Sequence, residues 1–262
     1  MLCTIVGAGS GLGIALAERF SHEGFRVAMI CRSPEKLAAW HRSRPHPRRF
    51  LLHAADAADE AALDAGFSAI RRWGGETQVL IYNVADLRAD RVEELTPDVL
   101  AETMRSNVGG ALVSVQAVLP DWRQRRSGTI LFTGGGLALE PYPMWGTLAA
   151  GKAALRSVAL GLHKALLPAG VHVAVVAVCG IVRSGTRFDP ALIAEEYWRL
   201  HTQPLAAAAR ELVYFPVDAD PFYNDPAAEF RETSLPITGG EVFNVTAGAT
   251  DTRNIPPDCP PR

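Results

Sequence analysis

The chain has 262 residues, of which 48% are hydrophobic, enough for one full-sized α/β core. A formal charge of −2 and an isoelectric point near 6.4 carry no nucleic-acid footprint. No run of 18 apolar residues suggests a membrane span, and the opening MLCTIV has neither the basic flank nor the cleavage site of a signal peptide. Four scattered cysteines, Cys3, Cys31, Cys179 and Cys259, form no CxxC and read as free thiols in a reducing cytoplasm.

Apolar, β-branched runs alternate with helical periodicity along the chain. LCTIV (2–6) is the first predicted strand and runs into VGAGSGLGIALAERF. The spacing G-x-G-x-x-G fails because position 12 is Leu12, whereas G-x-x-x-G-x-G fits Gly7, Gly11 and Gly13. With Gly9, Ser10 and Leu12, these residues are the expected pyrophosphate turn, where small residues let the backbone approach a phosphate at a helix N-terminus. A helix is expected over 13–24, then strand RVAMI (26–30). At the end of that strand stand Arg32 and Ser33, where a carboxylate would hold the ribose hydroxyls of NAD. A guanidinium there suits a 2′-phosphate, so NADP(H) is the expected cofactor.

A helical stretch (33–44) overlaps the basic, Pro-broken RSRPHPRR (42–49), which reads as a solvated loop. Strand FLLHA (50–54), helix 59–74 and strand QVLIY (78–82) follow, then a long helical stretch beginning at Thr96. TILFT (129–133) leads into GGGLALEP, helix 147–167 contains Lys152, and HVAVVAV (172–178) is a strand apolar almost throughout. Residues 188–230, aromatic and Pro-rich, read as an insertion covering the ligand crevice. EVFNV (241–245) is the last expected strand, and the Pro-rich tail 249–262 reads as poorly ordered. Without repeat or linker, the expectation is one domain over 1–262. It is a Rossmann-type doubly wound parallel sheet of about seven strands with helices on both faces.

These landmarks together resemble the short-chain dehydrogenase/reductase family over residues 1 to about 248. By that resemblance Asp56, with Ala57 beside it, holds the adenine, and Asn83, Val84 and Ala85 match the family's NNAG with its terminal glycine lost. Asn107 matches the helix asparagine that helps anchor an active-site water. Cys179-Gly180 matches a PG, after which Ile181 and Val182 offer backbone to the carboxamide, with Ser184 nearby. TGGEVFNVTAG (238–248) matches the late TGxxxxVDGG. Family members are commonly dimers or tetramers built on the helices here read as 96–123 and 147–167, so a homodimer or homotetramer is implied.

The family reduces carbonyls with a serine, a tyrosine, a lysine four residues after it, and the asparagine. The tyrosine protonates the alkoxide and the lysine lowers its pKa and binds the nicotinamide ribose. Here Lys152 and Asn107 remain, but the tyrosine position is Leu148 and the serine position falls on Gly135. Thr133 is expected to face the wrong side of its strand. Tyr142, in the loop PYP, is the candidate relocated acid, ahead of Glu140, Trp145 and His201. Losing a general acid costs about 10²–10⁴ in rate. The expected function is therefore an NADPH-dependent reductase of a small molecule that needs no such phenol: an imine or iminium, an activated C=C, or a carbonyl with relocated acid. A non-redox cyclase or isomerase, and a silent NADP(H)-binding protein, are the alternatives. No metal site is expected.

Overall fold

The computed structural model describes residues 1–215 and the backbone of Glu241–Asn244. One sheet runs through them in the order β3-β2-β1-β4-β5-β6-β7-β8. Its strands are β1 (Leu2–Val6), β2 (Arg26–Cys31), β3 (Phe50–Ala54), β4 (Val79–Tyr82), β5 (Gly128–Gly135), β6 (Val171–Val178), β7 (Glu211–Phe215) and β8 (Glu241–Asn244). All pair in parallel except β7 with β8.

Alternation along each strand feeds two cores. Ile5, Met29 and Leu131 join α1 (Leu12–His22) and α7 (Pro190–His201) on one face. Val6, Ile30 and Phe132 join α3 (Glu60–Gly74), α5 (Gly110–Arg125) and α6 (Gly146–Leu166) on the other. Both faces are thus covered, which is why the strands read as apolar runs. The short α2 (Ala38–Arg42) follows a 3-10 turn at Pro34–Leu37.

Local chemistry sets several helix starts. Asp59 accepts from Ala62 N at 3.0 Å to open α3. Thr96, followed by Pro97, accepts from Val99 N at 3.3 Å to open α4 (Pro97–Met104). Asp189, followed by Pro190, accepts from Ala191 N at 2.9 Å to open α7. All three are N-cap residues, and in α4 and α7 proline takes the first helical position, where its missing N–H costs nothing.

Three expectations change. The stretch 96–123 is not one regular helix, because a π-turn at Arg105–Gly109 separates α4 from α5 and carries Asn107. Residues 188–230 are not wholly a cover over the crevice. α7 buries Ile193, Tyr197 and Leu200 against the α1 side of the sheet, and β7 is a framework strand beside β6. The apolar ELVYF was hidden in an aromatic, Pro-rich context; residues 216–230 lie outside the described ones. Lastly, Glu241–Asn244 is an antiparallel edge strand, so Glu211–Phe215 takes the seventh parallel place. The tail 249–262 and Cys259 lie outside the described residues, whereas Cys3, Cys31 and Cys179 are buried and free.

Candidate functional site

Strand order reverses between β1 and β4, so their C-terminal ends open a crevice. The turn after β1 occupies it. Gly7 has φ +83°, and a Cβ there would lie 2.7 Å from Val84 N, so only glycine fits. A Cβ on Gly13 would lie 2.8 Å from Ala8 Cα, so glycine lets α1 start close to the strand. Gly9 and Gly11 differ: a Cβ on either would meet nothing within 4 Å. Ser10 is exposed beside them, Leu12 is buried, and no side chain caps α1 at Gly11. Open backbone at an uncapped helix end fits a dinucleotide pyrophosphate.

The neighbouring strand ends converge on this turn. Gly7 N and Ala8 N donate to Ile30 O at 2.9 and 3.0 Å, which sets Arg32 and Ser33 beside the turn. Arg32 is exposed and has no ion-pair partner among the described residues. Ala55 N donates to Cys31 O at 3.1 Å, bringing up Asp56, whose carboxylate accepts from Ala58 N at 2.9 Å. Ala57 is buried, with its carbonyl against Gly110.

At the other end of the crevice, a polar network ties four elements together. Lys152, on α6 and 5% exposed, donates from Nζ to Val84 O at 3.0 Å and Thr133 O at 2.7 Å. Asn83 donates from Nδ2 to Gly7 O at 3.0 Å and accepts on Oδ1 from the Thr133 hydroxyl at 2.8 Å. Thr133 Oγ1 lies 2.7 Å from the Tyr197 hydroxyl; since Thr133 donates to Asn83, Tyr197 is the donor in this contact. Thr133 does not face away from Gly135, contrary to the sequence expectation, because residues two apart on a strand share a face. Its hydroxyl is instead committed to Asn83 and Tyr197. Tyr197 is a site-supporting residue that sequence reading missed, and Thr133 one that it set aside; the shared parity of Thr133 and Gly135 was the available signal.

Burial pulls the Lys152 ammonium down to about 8, since desolvation disfavours its charge. Leu148, one turn earlier on α6, is buried too. Gly135 ends β5 in an extended conformation, and a Cβ on it would meet only Val178 O, at 3.7 Å. Neither position offers a hydroxyl. Asn107 is buried, packs against Gly151 and leaves Nδ2 without a protein partner, while Oδ1 accepts from Asp86 N at 3.5 Å. An orphaned buried amide of this kind suits an ordered water.

The remaining sequence candidates separate. Gly180 lies beneath the Phe188 ring, where a Cβ would come within 2.2 Å, and Ile181 and Ser184 are exposed in the loop beyond it, with Val182 partly buried between them. Ala85 is exposed just after the Lys152 acceptor Val84. Tyr142 is half-buried in the loop before α6, and Trp145 immediately precedes that helix. His201 is not at the site. Its Nδ1 lies 3.0 Å from Thr129 Oγ1, at the opposite end of β5.

The sequence profile of the short chain dehydrogenases matches residues 2–191. The chain belongs to the short-chain dehydrogenase family. Human 17-beta-hydroxysteroid dehydrogenase type 1 is 29% identical over 187 residues, which cover 69% of this chain but 56% of that enzyme. A short-chain dehydrogenase structure from Rhodopseudomonas palustris aligns with a TM-score of 0.71 and 27% identity, covering 80% of this chain and 95% of that one. An NADPH-bound short chain oxidoreductase from Pseudomonas aeruginosa PAO1, containing an atypical catalytic center, aligns at TM-score 0.70 and 22% identity, over 78% and 90% of the two chains. The fold and the oxidoreductase class of this family member follow.

Proposed function

We propose that this short-chain dehydrogenase is an NADPH-dependent reductase of a small molecule whose reduction does not use a phenol at position 148. The observation that carries the reading is the buried Lys152, held by two backbone carbonyls, with Leu148 and Gly135 where the family's oxygen-binding groups would stand. The family resemblance assigns Lys152, Asn83, Asp56 and the glycine turn to the cofactor. That cofactor, when bound, supplies hydride. An iminium acceptor already carries charge and an activated C=C places less demand on oxygen protonation. A carbonyl acceptor would need Lys152 or Tyr142 to give the proton. The Pseudomonas aeruginosa protein supports NADPH as a cofactor that an atypical centre on this fold can hold.

The test is oxidation of NADPH against cyclic imines, enones and ketones. Turnover of none of them, with tight NADPH binding, would overturn the reductase reading in favour of a cyclase, isomerase or sensor. Arg32 carries the choice of dinucleotide. Arg32→Ala is expected to reduce the NADPH-over-NADH preference about tenfold or more, a charged hydrogen bond being worth roughly 1.5–3 kcal/mol. Equal affinities in the parent protein would refute the preference. If a carbonyl is the acceptor and Lys152 the acid, the rate falls as pH rises through about 8; an N-alkylated, permanently charged iminium acceptor gives no such limb.

The same reading places the protein in the cytoplasm, as a homodimer or homotetramer using α5 and α6. Ala153, Ser157 and Gly161 are exposed on α6, and Leu112 is exposed on α5. Among the described residues no helix is long and apolar enough to cross a membrane.

A further inference from the structure

One cavity among the described residues lies away from the crevice. It has a volume of about 860 Å³ and is lined by Arg26, His41, Arg42, Pro47, Arg48, Phe50 and Trp73. Arg26 opens β2 opposite Leu2, and Phe50 opens β3 opposite Val27. The cavity therefore lies at the N-terminal ends of these strands, the other end of the sheet from Gly7. Arg42, Pro47 and Arg48 come from the basic stretch 42–49, which the sequence alone presented as a solvated loop.

Its electrostatics are one-sided. No carboxylate lines it. Arginines elsewhere on the molecule pair with carboxylates: Arg19 with Glu23 and Glu195, Arg44 with Glu18, Arg71 with Asp121. Arg26, Arg42 and Arg48 have no carboxylate within ion-pair distance among the described residues. Three arginines thus line one depression that has no carboxylate in its lining, an arrangement that raises the positive potential there.

The walls are also organised. The Arg26 guanidinium lies over the Trp73 ring, 3.9 Å from its centroid. Phe50 packs edge-on to Trp40, with ring centroids 5.2 Å apart. His41 Nε2 lies 3.0 Å from Pro47 O and ties α2 to the turn that presents Arg48. Planar forked donors on a supported wall match phosphate oxygens better than flexible ammonium groups would.

We propose that this cavity is a second binding site, distinct from the dinucleotide crevice, for a small soluble ligand bearing a diphosphate or comparably charged phosphate group.

Isothermal titration of inorganic pyrophosphate into protein saturated with NADPH tests it, the cofactor blocking the glycine turn. Saturable one-to-one binding is expected at physiological salt. Arg26→Gln, Arg42→Gln and Arg48→Gln are each expected to weaken it by about tenfold, with NADPH affinity unchanged. Arg48 is exposed, so Arg48→Gln alone decides the matter if the others impair folding. Absence of saturation, affinity indifferent to all three arginines, or binding only to phosphatidylcholine vesicles doped with a phosphoinositide would each overturn the proposal. The NADPH reductase assay is independent of these outcomes.

Discussion

Leu148 and Gly135 differ in how readily the family's groups could be put back. At Gly135 the backbone is extended and the nearest atom to an added Cβ is Val178 O at 3.7 Å, ordinary contact, so serine enters without strain. At Leu148 the side chain is buried, and tyrosine is larger; overpacking costs typically about 1–3 kcal/mol. Lys152 is already in place one turn later. The double variant Gly135→Ser with Leu148→Tyr is expected to lose thermal stability and to reduce ketones with NADPH faster than the parent does. Gain of that activity by Gly135→Ser alone would show that the phenol is dispensable and that proton delivery already resides elsewhere. Asn107 belongs to the same scale: its orphaned amide is the polar atom a bound water would satisfy, and nothing in its sequence context announced that it sits on a π-turn.

α6 presents Lys152, and its start is secured from a distant segment. Trp145 at the N-cap provides no side-chain acceptor. Asp90, in the loop after β4, does: its carboxylate accepts from Thr147 N at 3.0 Å and from the Thr147 hydroxyl at 2.5 Å. Backbone bonds join the same segments, Asp90 N to Met144 O at 3.0 Å and Gly146 N to Asp90 O at 3.1 Å. The loop that follows Val84 is thereby fastened to the helix that carries Lys152. Asp90→Ala is expected to destabilise the protein by about 1–2 kcal/mol in urea denaturation, with Asp90→Asn costing less because an amide oxygen still accepts. An unchanged midpoint for Asp90→Ala would show that the backbone bonds alone hold the helix start. α7 plays a comparable part, since its Tyr197 hydroxyl holds Thr133, whose carbonyl accepts from Lys152.

Across the whole molecule, the lower end of the sheet is built around neutral imidazoles. Burial pulls His201 down to about 4 and lowers His172 as well, each repelled further by a neighbouring histidine. His201 packs among Phe20, Phe25 and Trp198. A histidine whose folded pKa is depressed binds fewer protons folded than unfolded, so stability falls as pH drops below about 6.5 and continues to fall toward 4. For His201 alone the loss is on the order of 3 kcal/mol. His201→Phe keeps a ring in the cluster and is expected to flatten this part of the stability–pH curve, measured by denaturant midpoints from pH 7 to 4. Parallel curves for parent and variant would assign the acid lability to other groups.

Periodicity determined the fold class, because strands covered on both faces must be apolar and their helices amphipathic whatever their partners. Glycine spacing after LCTIV likewise marked the turn, since the positive φ at Gly7 and the close approach of Gly13 to Ala8 are demands on residue type. The absence of a phenol four residues before Lys152 was also legible, being a matter of spacing on one helix. Tertiary structure decided what depends on pairing across the chain. ELVYF became β7 because β6 offered it an edge, a fact no local pattern carries. Thr133 was claimed by Asn83 and Tyr197, which are 50 and 64 residues away in sequence. Arg26, Arg42, Arg48 and Trp73 became one cavity only when β2, β3 and α3 were laid side by side. Such groupings are set by sheet order, and sheet order is a property of the folded chain.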